Sequence, residues 1–178
     1  MADLFPFEAI VHLFDDFEHT AWRLETQRGY ATDRVSPNWT RFQNGEFLGY
    51  DPGSPWHVSV REKTRAGKVF ARVRLVDSPP TEGQRFLLAS GIGNVEAGED
   101  IRNLYRVDAE RLGLPDFDFW LFDSRILARF HIDDQGVTLG VELIEEAAAV
   151  LRACQARDAA WHHAIPTVEF QAQVPSAT

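Results

Sequence analysis

Apolar side chains near the amino terminus recur at the three- and four-residue spacing of an α-helix. The positions that share this spacing are Phe7, Ile10, Val11, Phe14, Phe17, Ala21 and Leu24. They predict an amphipathic helix of about five turns that ends at Gly29. A second, short helix is predicted from Ser36, because Pro37 suits the first helical position and Gly45 suits the end.

Alternating apolar and polar positions in the middle of the chain predict two β-strands. They cover residues 56–61 and 69–76, and residues 65–68 indicate a turn between them. We therefore expect an antiparallel hairpin. The face opposite its valines would carry His57, Ser59, Arg61, Phe70, Arg72 and Arg74.

The next segment combines a helix start with a glycine-rich run. Residues 78–82 carry the signals of a helix start and predict a helix to about Ala89. Residues 91–98, with glycine at both ends and a third glycine between them, predict a loop. Residues 99–112 predict a helix or a helical turn.

The carboxyl-terminal part of the chain is typical of strands followed by a helix. Residues 117–122 are almost continuously apolar, which predicts a strand buried on both faces. Residues 126–132 and 136–143 complete a meander, and a last helix is predicted over residues 145–164. The expected fold class is α+β, with a mostly antiparallel sheet of about four to six strands packed by an N-terminal and a C-terminal helix.

Length and composition predict a single globular domain over residues 1–178. The chain is 44% hydrophobic and 25% charged, which lies close to the average of globular proteins. We expect an ordered core over about residues 5–170 and a frayed tail over residues 171–178.

Cysteine usage, charge and hydropathy all favour the cytoplasm. Cys154 is the single cysteine, and its helical position predicts a small buried hydrophobe rather than a reactive thiol. No apolar run is long enough to cross a membrane, and the first residues lack the regions of a signal peptide. The net charge of −9 opposes nonspecific binding to nucleic acid or to an anionic membrane.

Two carboxylates of the predicted first helix need partners. Glu18 and Glu25 would both project beside its apolar stripe, where an unpaired charge is costly. The available cations are Arg61, Arg72 and Arg74 on the polar face of the predicted hairpin. The favoured interpretation is a structural ion-pair cluster. One alternative is a pocket in which these groups bind or polarise a small ligand, and another is a simple surface position.

Four further residues are candidates for the same ligand site. Asp123 and Arg125 flank the turn after the apolar strand, and Asp100 follows the glycine-rich segment. A capping or turn-stabilising role is the simpler interpretation of these three. If they converge with Glu25 and Trp120, they would form a polar spot inside an aromatic wall, which is typical of ligand sites.

Metal, cofactor and catalytic signatures are weak. His12, Asp15, Asp16 and His19 have metal-ligand spacing, but they lie opposite the apolar stripe, so we predict a solvated face and no metal. The glycines of residues 91–98 lack dinucleotide-binding spacing, and the acidic residues around them oppose a phosphate. His162 and His163 would interact with the carbonyl groups at the end of the last helix. We predict no cofactor, and the catalytic residues stay unknown.

Several short segments resemble a known family. They are residues 21–26, 73–76, 97–102, 118–125 and 161–166. In this order they resemble an actinobacterial family known only as a domain of unknown function, over about residues 12–170. Members of that family are often encoded beside Xre-type helix-turn-helix regulators, so the resemblance implies a regulatory or accessory role. It implies no catalytic residues.

We therefore expect an accessory or regulatory binding protein that engages a partner protein, a small molecule or both. The acidic charge suits a partner with a basic surface, such as a helix-turn-helix regulator. The alternative is a cofactor-independent enzyme of specialised metabolism, with Glu25 or Glu18 as general base and an arginine as electrostatic stabiliser. A toxin–antitoxin component is a third alternative.

Overall fold

A seven-stranded mixed sheet is the centre of the computed structural model, which describes residues 3–174. Its strands are β1 Thr20–Glu25, β2 Val69–Val76, β3 Asp100–Tyr105, β4 Phe119–Phe122, β5 Ile126–Ile132, β6 Thr138–Ile144 and β7 Ile165–Pro166. The strand order within the described residues is β6-β5-β4-β1-β2-β3-β7. The pairs β1–β2 and β2–β3 are parallel, and the other neighbours are antiparallel.

Helices cover both faces of this sheet. They are α1 Leu13–Asp16, α2 Ala31–Arg34, α3 Pro37–Gln43, α4 Pro55–Arg65, α5 Glu82–Ala97, α6 Arg106–Arg111, α7 Ala147–His163 and α8 Thr167–Gln173. A 3-10 turn, Phe7–Ile10, precedes α1. No helix within residues 3–174 is both long and apolar enough to span a bilayer.

One face of the sheet is mostly apolar and packs against α6 and α7. Its buried side chains come from five strands and are Trp22, Leu24, Ala71, Val73, Leu75, Leu104, Phe119, Leu121 and Leu127. Val150, Ala153 and Ala160 of α7 close over them, with Ala109 of α6. Burying each large aliphatic or aromatic side chain contributes about 1.5–3 kcal/mol, so this layer is a major source of stability.

The opposite face is divided between aromatic and charged residues. Trp120 and Phe122 of β4 and Phe70 of β2 pack against Phe14 and Phe17, with edge-to-face ring contacts. Towards the other end of the same strands, this face carries buried charged residues instead of apolar ones. Helix α5 covers part of this charged region, since the backbone carbonyl of Leu87 in that helix accepts a hydrogen bond from Arg74.

Several of the elements predicted from the sequence are present. The Ser36 hydroxyl caps α3 by accepting a hydrogen bond from the Trp39 backbone N–H, with Pro37 at the first helical position. Strands β2, β4, β5 and β6 and helix α7 also lie within a few residues of their predicted bounds. The fold is α+β with a mostly antiparallel sheet, although the sheet is larger than predicted. The part of the predicted frayed tail at residues 175–178 lies outside the described residues.

The predicted helix over residues 7–24 is wrong in its second half. The chain forms only the 3-10 turn and α1 before Phe17, and the remainder is strand β1. The Asp123 carboxylate accepts hydrogen bonds from the backbone N–H groups of Glu18, His19 and Thr20, which fixes the chain leaving α1 as a turn. Strand β1 lies between β2 and β4 and is buried on both faces, so its apolar pattern does not alternate.

The predicted hairpin is also wrong. Residues 56–61 belong to α4, whose first turn is capped by Ser54 and has Pro55 at the first helical position. Strand β2 pairs in parallel with β1 and β3 and makes no antiparallel hairpin.

The glycine-rich segment is helical rather than a loop. Gly91 and Gly93 lie inside α5, where an added Cβ would stand 2.6 Å from Arg74 Nη1 and 2.6 Å from the Gly49 carbonyl oxygen, respectively. These glycines therefore allow other groups to approach the helix closely. The helix or helical turn predicted over residues 99–112 is wrong in its first half, which is strand β3, and is present in its second half as α6.

Candidate functional site

Six charged side chains form a network on the sheet face that is divided between aromatic and charged residues; five of them are buried and Arg23 is partly buried. They are Arg23 and Glu25 of β1, Arg72 and Arg74 of β2, Glu99 before β3, and Asp118 before β4. The parallel register places Arg23 beside Arg72 and Glu25 beside Arg74. Three positive charges meet three negative charges, so this buried charge network is neutral in sum.

Glu25 is the centre of the buried charge network. Its Oε1 lies 2.8 Å from Arg72 Nη1 and 3.4 Å from Arg23 Nη1, and its Oε2 accepts from Arg74 Nε. Burial alone would raise the pKa of Glu25, but the charges of Arg74, Arg23 and Arg72 outweigh it and hold the pKa well below its usual range. Glu25 is therefore ionised, and both of its carboxylate oxygens are paired with these arginines.

The remaining acids complete the pairing of the arginines. Arg72 Nε donates to Glu99, and Arg23 Nη2 lies 3.3 Å from Asp118 Oδ2. Asp118 also accepts from the Tyr30 hydroxyl and, at 2.7 Å, from the Thr26 backbone N–H. Burial and the nearby charges of Glu25 and Asp118 raise the pKa of Tyr30, so the phenol keeps its proton.

The sequence-predicted group of Glu18, Glu25, Arg61, Arg72 and Arg74 is only partly assembled. Glu25, Arg72 and Arg74 meet, but they do so through neighbouring strands rather than through a helix and a hairpin. Arg61 lies on α4, stacks 3.4 Å above the Tyr50 ring centroid and donates to the Glu96 carbonyl. Glu18 lies in the exposed turn before β1, and 76% of its side chain is accessible to solvent.

The space beside Glu25 is too small for a ligand. The cavity that Glu25 and Arg74 line has a volume of about 10 Å³, which is roughly the space of one water molecule. The geometry of Glu25, Arg72 and Arg74 is thus that of an enclosed ion-pair cluster.

The other predicted site residues do not converge on Glu25. Trp120 is 2% exposed and packs beside Arg23 and Arg72, whose guanidinium carbons lie 5.7 and 5.6 Å from its ring centroid. Asp100 is exposed at the start of β3.

Glu18, Asp123 and Arg125 meet at the opposite edge of the sheet. Together with His12 and Asp16 they line a cavity of about 270 Å³ beside the start of β1. Burial would raise the pKa of Asp123, but the three N–H groups that it accepts from hold the pKa low. Asp123 therefore serves as a cap for this turn.

The residues with metal-ligand spacing in the sequence, His12, Asp15, Asp16 and His19, do not form a cluster. Within residues 3–174 no group of three or more histidine, cysteine or acidic side chains is arranged to hold a metal ion. Asp15 pairs instead with Lys63 at 2.8 Å. His162 and His163 lie in the last turn of α7 and are exposed, while Cys154 is partly buried against the apolar core.

An opening in the surface lies where the parallel strands end. Two neighbouring cavities of about 680 and 350 Å³ occupy this edge. Both are lined by Arg28, which follows β1, and Arg106, which follows β3. We call the two cavities together the carboxyl-edge cleft. In open sheets with parallel strands, ligands bind outside the carboxyl ends of the strands.

Asp77, which follows β2, holds the two arginines of the carboxyl-edge cleft in place. Arg28 Nε lies 2.7 Å from Asp77 Oδ2, and Arg106 Nε lies 2.8 Å from Oδ1. Arg106 also donates to the Thr26 carbonyl. Burial would raise the pKa of Asp77, but hydrogen bonds from Gln84, Arg106 and Arg28 keep it low.

The start of α5 forms one wall of the carboxyl-edge cleft. Thr81 and Gln84 form a reciprocal capping box, and the Thr81 hydroxyl also donates to the Arg28 carbonyl at 2.7 Å. Gly83 is needed in this wall, since an added Cβ would lie 2.4 Å from the Arg28 carbonyl oxygen. The loop after β1 is therefore packed tightly against the helix.

The β5–β6 turn forms the facing wall. Its Gly136 has a φ of +79°, and its carbonyl accepts a hydrogen bond from the Ala31 backbone N–H at 3.0 Å. An added Cβ at Gly136 would stand 2.8 Å from the Gly29 carbonyl oxygen. The loop after β1 is thus packed against the start of α5 on one side and against the β5–β6 turn on the other. These close backbone contacts fix the positions of the walls of the carboxyl-edge cleft.

The sequence alone did not indicate the carboxyl-edge cleft. Its residues follow three strands, and two of those strands were predicted as helices. The polar clusters after β1 and β2 are visible in the sequence, but only parallel pairing brings them to one edge.

Comparison with known proteins identifies the family but not an activity. No curated protein matches the chain. A match to the domain of unknown function DUF6879 extends over residues 8–172, which is nearly the whole chain. The protein therefore belongs to the family described as Domain of unknown function (DUF6879).

Proposed function

We propose that this protein is a binding protein that holds a small polar molecule in the carboxyl-edge cleft. The observation that carries the proposal is the cavity of about 680 Å³ at the ends of the parallel strands. Its volume falls in the range of small-molecule sites, and its place matches the edge at which such sheets bind ligands.

The lining supports recognition of a polar ligand. Arg28 and Arg106 are fixed by Asp77, and the walls are fixed by the close backbone contacts of Gly83 and Gly136. A ligand would meet groups that are already oriented, which lowers the entropy lost on binding.

The buried charge network is connected to the carboxyl-edge cleft through Thr26. Thr26 follows Glu25 directly, donates its N–H to Asp118 and accepts from Arg106 through its carbonyl. The buried charge network thus holds the loop after β1, which lines the carboxyl-edge cleft, in place. Its own role in this proposal is structural.

An accessory or regulatory role is the wider part of the proposal. It is supported by the family resemblance, in which actinobacterial members are often encoded beside Xre-type helix-turn-helix regulators. The net charge of −9 suits a partner with a basic surface, and a single cysteine suits a cytoplasmic location.

A general-base enzyme receives less support from the same residues. Glu25 has a lowered pKa and no space for a substrate beside it, so it is a weak base in a closed site. Glu18 lies in an exposed turn away from the arginines of the buried charge network.

A ligand screen with a blocked cleft tests the proposal. Purified protein is screened by thermal shift against a library of polar metabolites, because a ligand that binds only the folded state raises its melting temperature. Gln135→Trp places a large ring in the cleft from an exposed position, and Gln155→Trp on α7 is the matched control. We expect ligands that stabilise the native protein and the control variant but not Gln135→Trp. Ligands that stabilise all three proteins equally, or a library without any ligand, would overturn the proposal.

A further inference from the structure

The charged residues of the carboxyl-edge cleft differ in whether they are already paired. Arg28 and Arg106 share the single carboxylate of Asp77, so one of their two positive charges is compensated within the protein. The other charged residues of the larger cavity are Arg34, Glu82, Asp116 and Asp134. The side chains of these four make no hydrogen bond or ion pair within residues 3–174. The unpaired charges are therefore three carboxylates and one guanidinium.

An aromatic ring lines the same cavity. Trp39 of α3 lies in its wall, and its ring centroid is 5.8 Å from that of Phe42 and 5.1 Å from that of Phe86. The two phenylalanines hold the indole in place. An indole face attracts a cation through its quadrupole, and tryptophan is the strongest of the aromatic side chains in this respect.

An anionic ligand would find little support in this cavity. The start of α5 is the usual kind of anion site, but its Gln84 N–H already donates to Thr81 Oγ1 and the Thr81 N–H donates to Gln84 Oε1. Glu82 adds a negative charge at the same place. That carboxylate would oppose the binding of an anion there.

A bare metal ion fits no better. Within the described residues, the carboxylates of the cavity do not form a group of three that could coordinate one ion. A larger cation that spreads over separate carboxylates and over the ring of Trp39 does not need such a group.

From these observations we infer that the ligand of the carboxyl-edge cleft is a small organic cation, with an amine or guanidinium group. This inference rests on the proposed function and specifies its ligand. Asp116, Asp134 and Glu82 supply the countercharge, and Trp39 supplies the apolar face. The net charge of −9 adds a long-range attraction for such a ligand.

Matched probes of opposite charge test the inference. Tryptamine, agmatine and putrescine are titrated calorimetrically at low salt, and indole-3-acetate serves as the anion that shares the ring of tryptamine. We expect at least one of the three cations to bind and indole-3-acetate not to bind. The affinity should fall as salt is added, because exposed charges are screened.

Charge-neutral variants locate the binding. The double variant Asp116→Asn/Asp134→Asn should weaken cation binding about 5- to 30-fold, the effect of removing two contacts of about 0.5–1 kcal/mol each. Asp108→Asn on α6 is the control, since Asp108 lies outside the cleft. Arg34→Gln should leave cation binding unchanged or strengthen it. All four substituted side chains are solvent-accessible, and unchanged melting temperatures without ligand confirm that the variants fold.

The outcomes separate this inference from the proposed function. If none of the cations binds, or if the double variant binds them as well as the native protein does, the inference is wrong. If the metabolite library yields anions whose effect disappears in Gln135→Trp, the cleft binds small molecules but of the opposite charge. If the library yields no ligand at all, the proposed function itself fails.

Discussion

Glu25 and Arg72 form a 2.8 Å ion pair although they lie 47 residues apart in the sequence. They occupy the neighbouring parallel strands β1 and β2, and both side chains are almost completely shielded from solvent. Arg74 binds the second oxygen of the same carboxylate. A buried carboxylate held by several arginines makes each strand's position depend on the other, since an unpaired charge there is costly.

Replacing Glu25 tests this dependence. Glu25→Gln should reduce the free energy of unfolding by about 3–5 kcal/mol, because it leaves buried guanidinium groups without their countercharge. The native pKa of Glu25 is lowered, so its ionic stabilisation is complete above the ordinary glutamate pKa. It is lost as the pH falls towards the depressed native value. The loss measured by urea unfolding at pH 7 should therefore shrink in acid.

The surface residue Glu46 provides the control for Glu25. It pairs with Arg41 at 3.0 Å, but both side chains are largely exposed. Glu46→Gln should change the free energy of unfolding by less than about 1 kcal/mol. Equal effects of the two substitutions would contradict a structural role for the buried charge network.

Asp33 gives the protein a second pH dependence of opposite sign. Burial and the nearby charge of Glu25 raise its pKa to about 6, and its Oδ2 is buried without a hydrogen-bond partner. A raised native pKa favours the protonated form, so this contribution to stability is present below the ordinary aspartate pKa and is lost as the pH rises through about 6. Asp33→Asn should therefore raise the melting temperature at pH 7.5 and have little effect at pH 4.

Melting curves between pH 4 and pH 8 check the behaviour of Asp33. Asp108→Asn, a change at a more accessible aspartate that pairs with Arg111, is the comparison. An Asp33→Asn protein whose melting temperature differs from that of the native protein by the same amount at every pH would rule out the titration.

Trp120 distinguishes a closed core from an open pocket. Its ring is buried among Phe14, Phe70 and Phe122 and lines neither cavity of the carboxyl-edge cleft. Trp120→Ala should cost about 3–5 kcal/mol of unfolding free energy, as for other large aromatic truncations. Phe47→Ala is the control, because that ring is 69% exposed.

Fluorescence should separate Trp120 from Trp39. Trp39 lines the carboxyl-edge cleft, so a bound ligand should change its emission. The Trp39→Phe protein should lose this response, whereas a conservative Trp120→Phe protein should keep it. A response that disappears with Trp120 instead would place the ligand away from the carboxyl-edge cleft, among the aromatic residues of the same sheet face.

Asp123 should be a structural residue. Its carboxylate accepts three backbone N–H groups of the turn before β1, and its own φ is +50°, a conformation that aspartate and asparagine tolerate best. Asp123→Ala should therefore cost about 1–2 kcal/mol, the range of a lost cap. Asp123→Asn keeps one acceptor oxygen and should cost less. Asp100→Ala, at an exposed position, should leave the urea midpoint almost unchanged, and equal effects at both positions would contradict the capping role.

Local signals in the sequence were enough to predict some elements. Ser36 and Pro37 predicted the start of α3, because capping and a fixed proline φ depend only on neighbouring residues. The alternation in residues 69–76 predicted β2, and the apolar run in residues 117–122 predicted β4. The sequence also predicted that Glu25, Arg72 and Arg74 would pair, since charges at buried positions need partners.

Other elements depended on contacts that no local pattern contains. The apolar positions of residues 20–25 suit both a helix and a strand covered on two faces, and only the insertion of β1 between β2 and β4 decides between them. The composition around Gly91 and Gly93 indicates a loop, yet both residues lie inside α5. Their missing side chains allow Arg74 and the backbone of Gly49 to pack closely against the helix.

The sequence by itself determined the α+β class, the local caps and the need to pair the buried charges. The tertiary structure alone decided that β1, β2 and β3 run parallel. That direction places Arg28, Asp77 and Arg106 at one edge, although they are far apart in the chain. The carboxyl-edge cleft therefore depends on the parallel direction of these strands. The pairing direction of distant strands is set by how the whole chain buries its apolar faces, which no local sequence pattern contains.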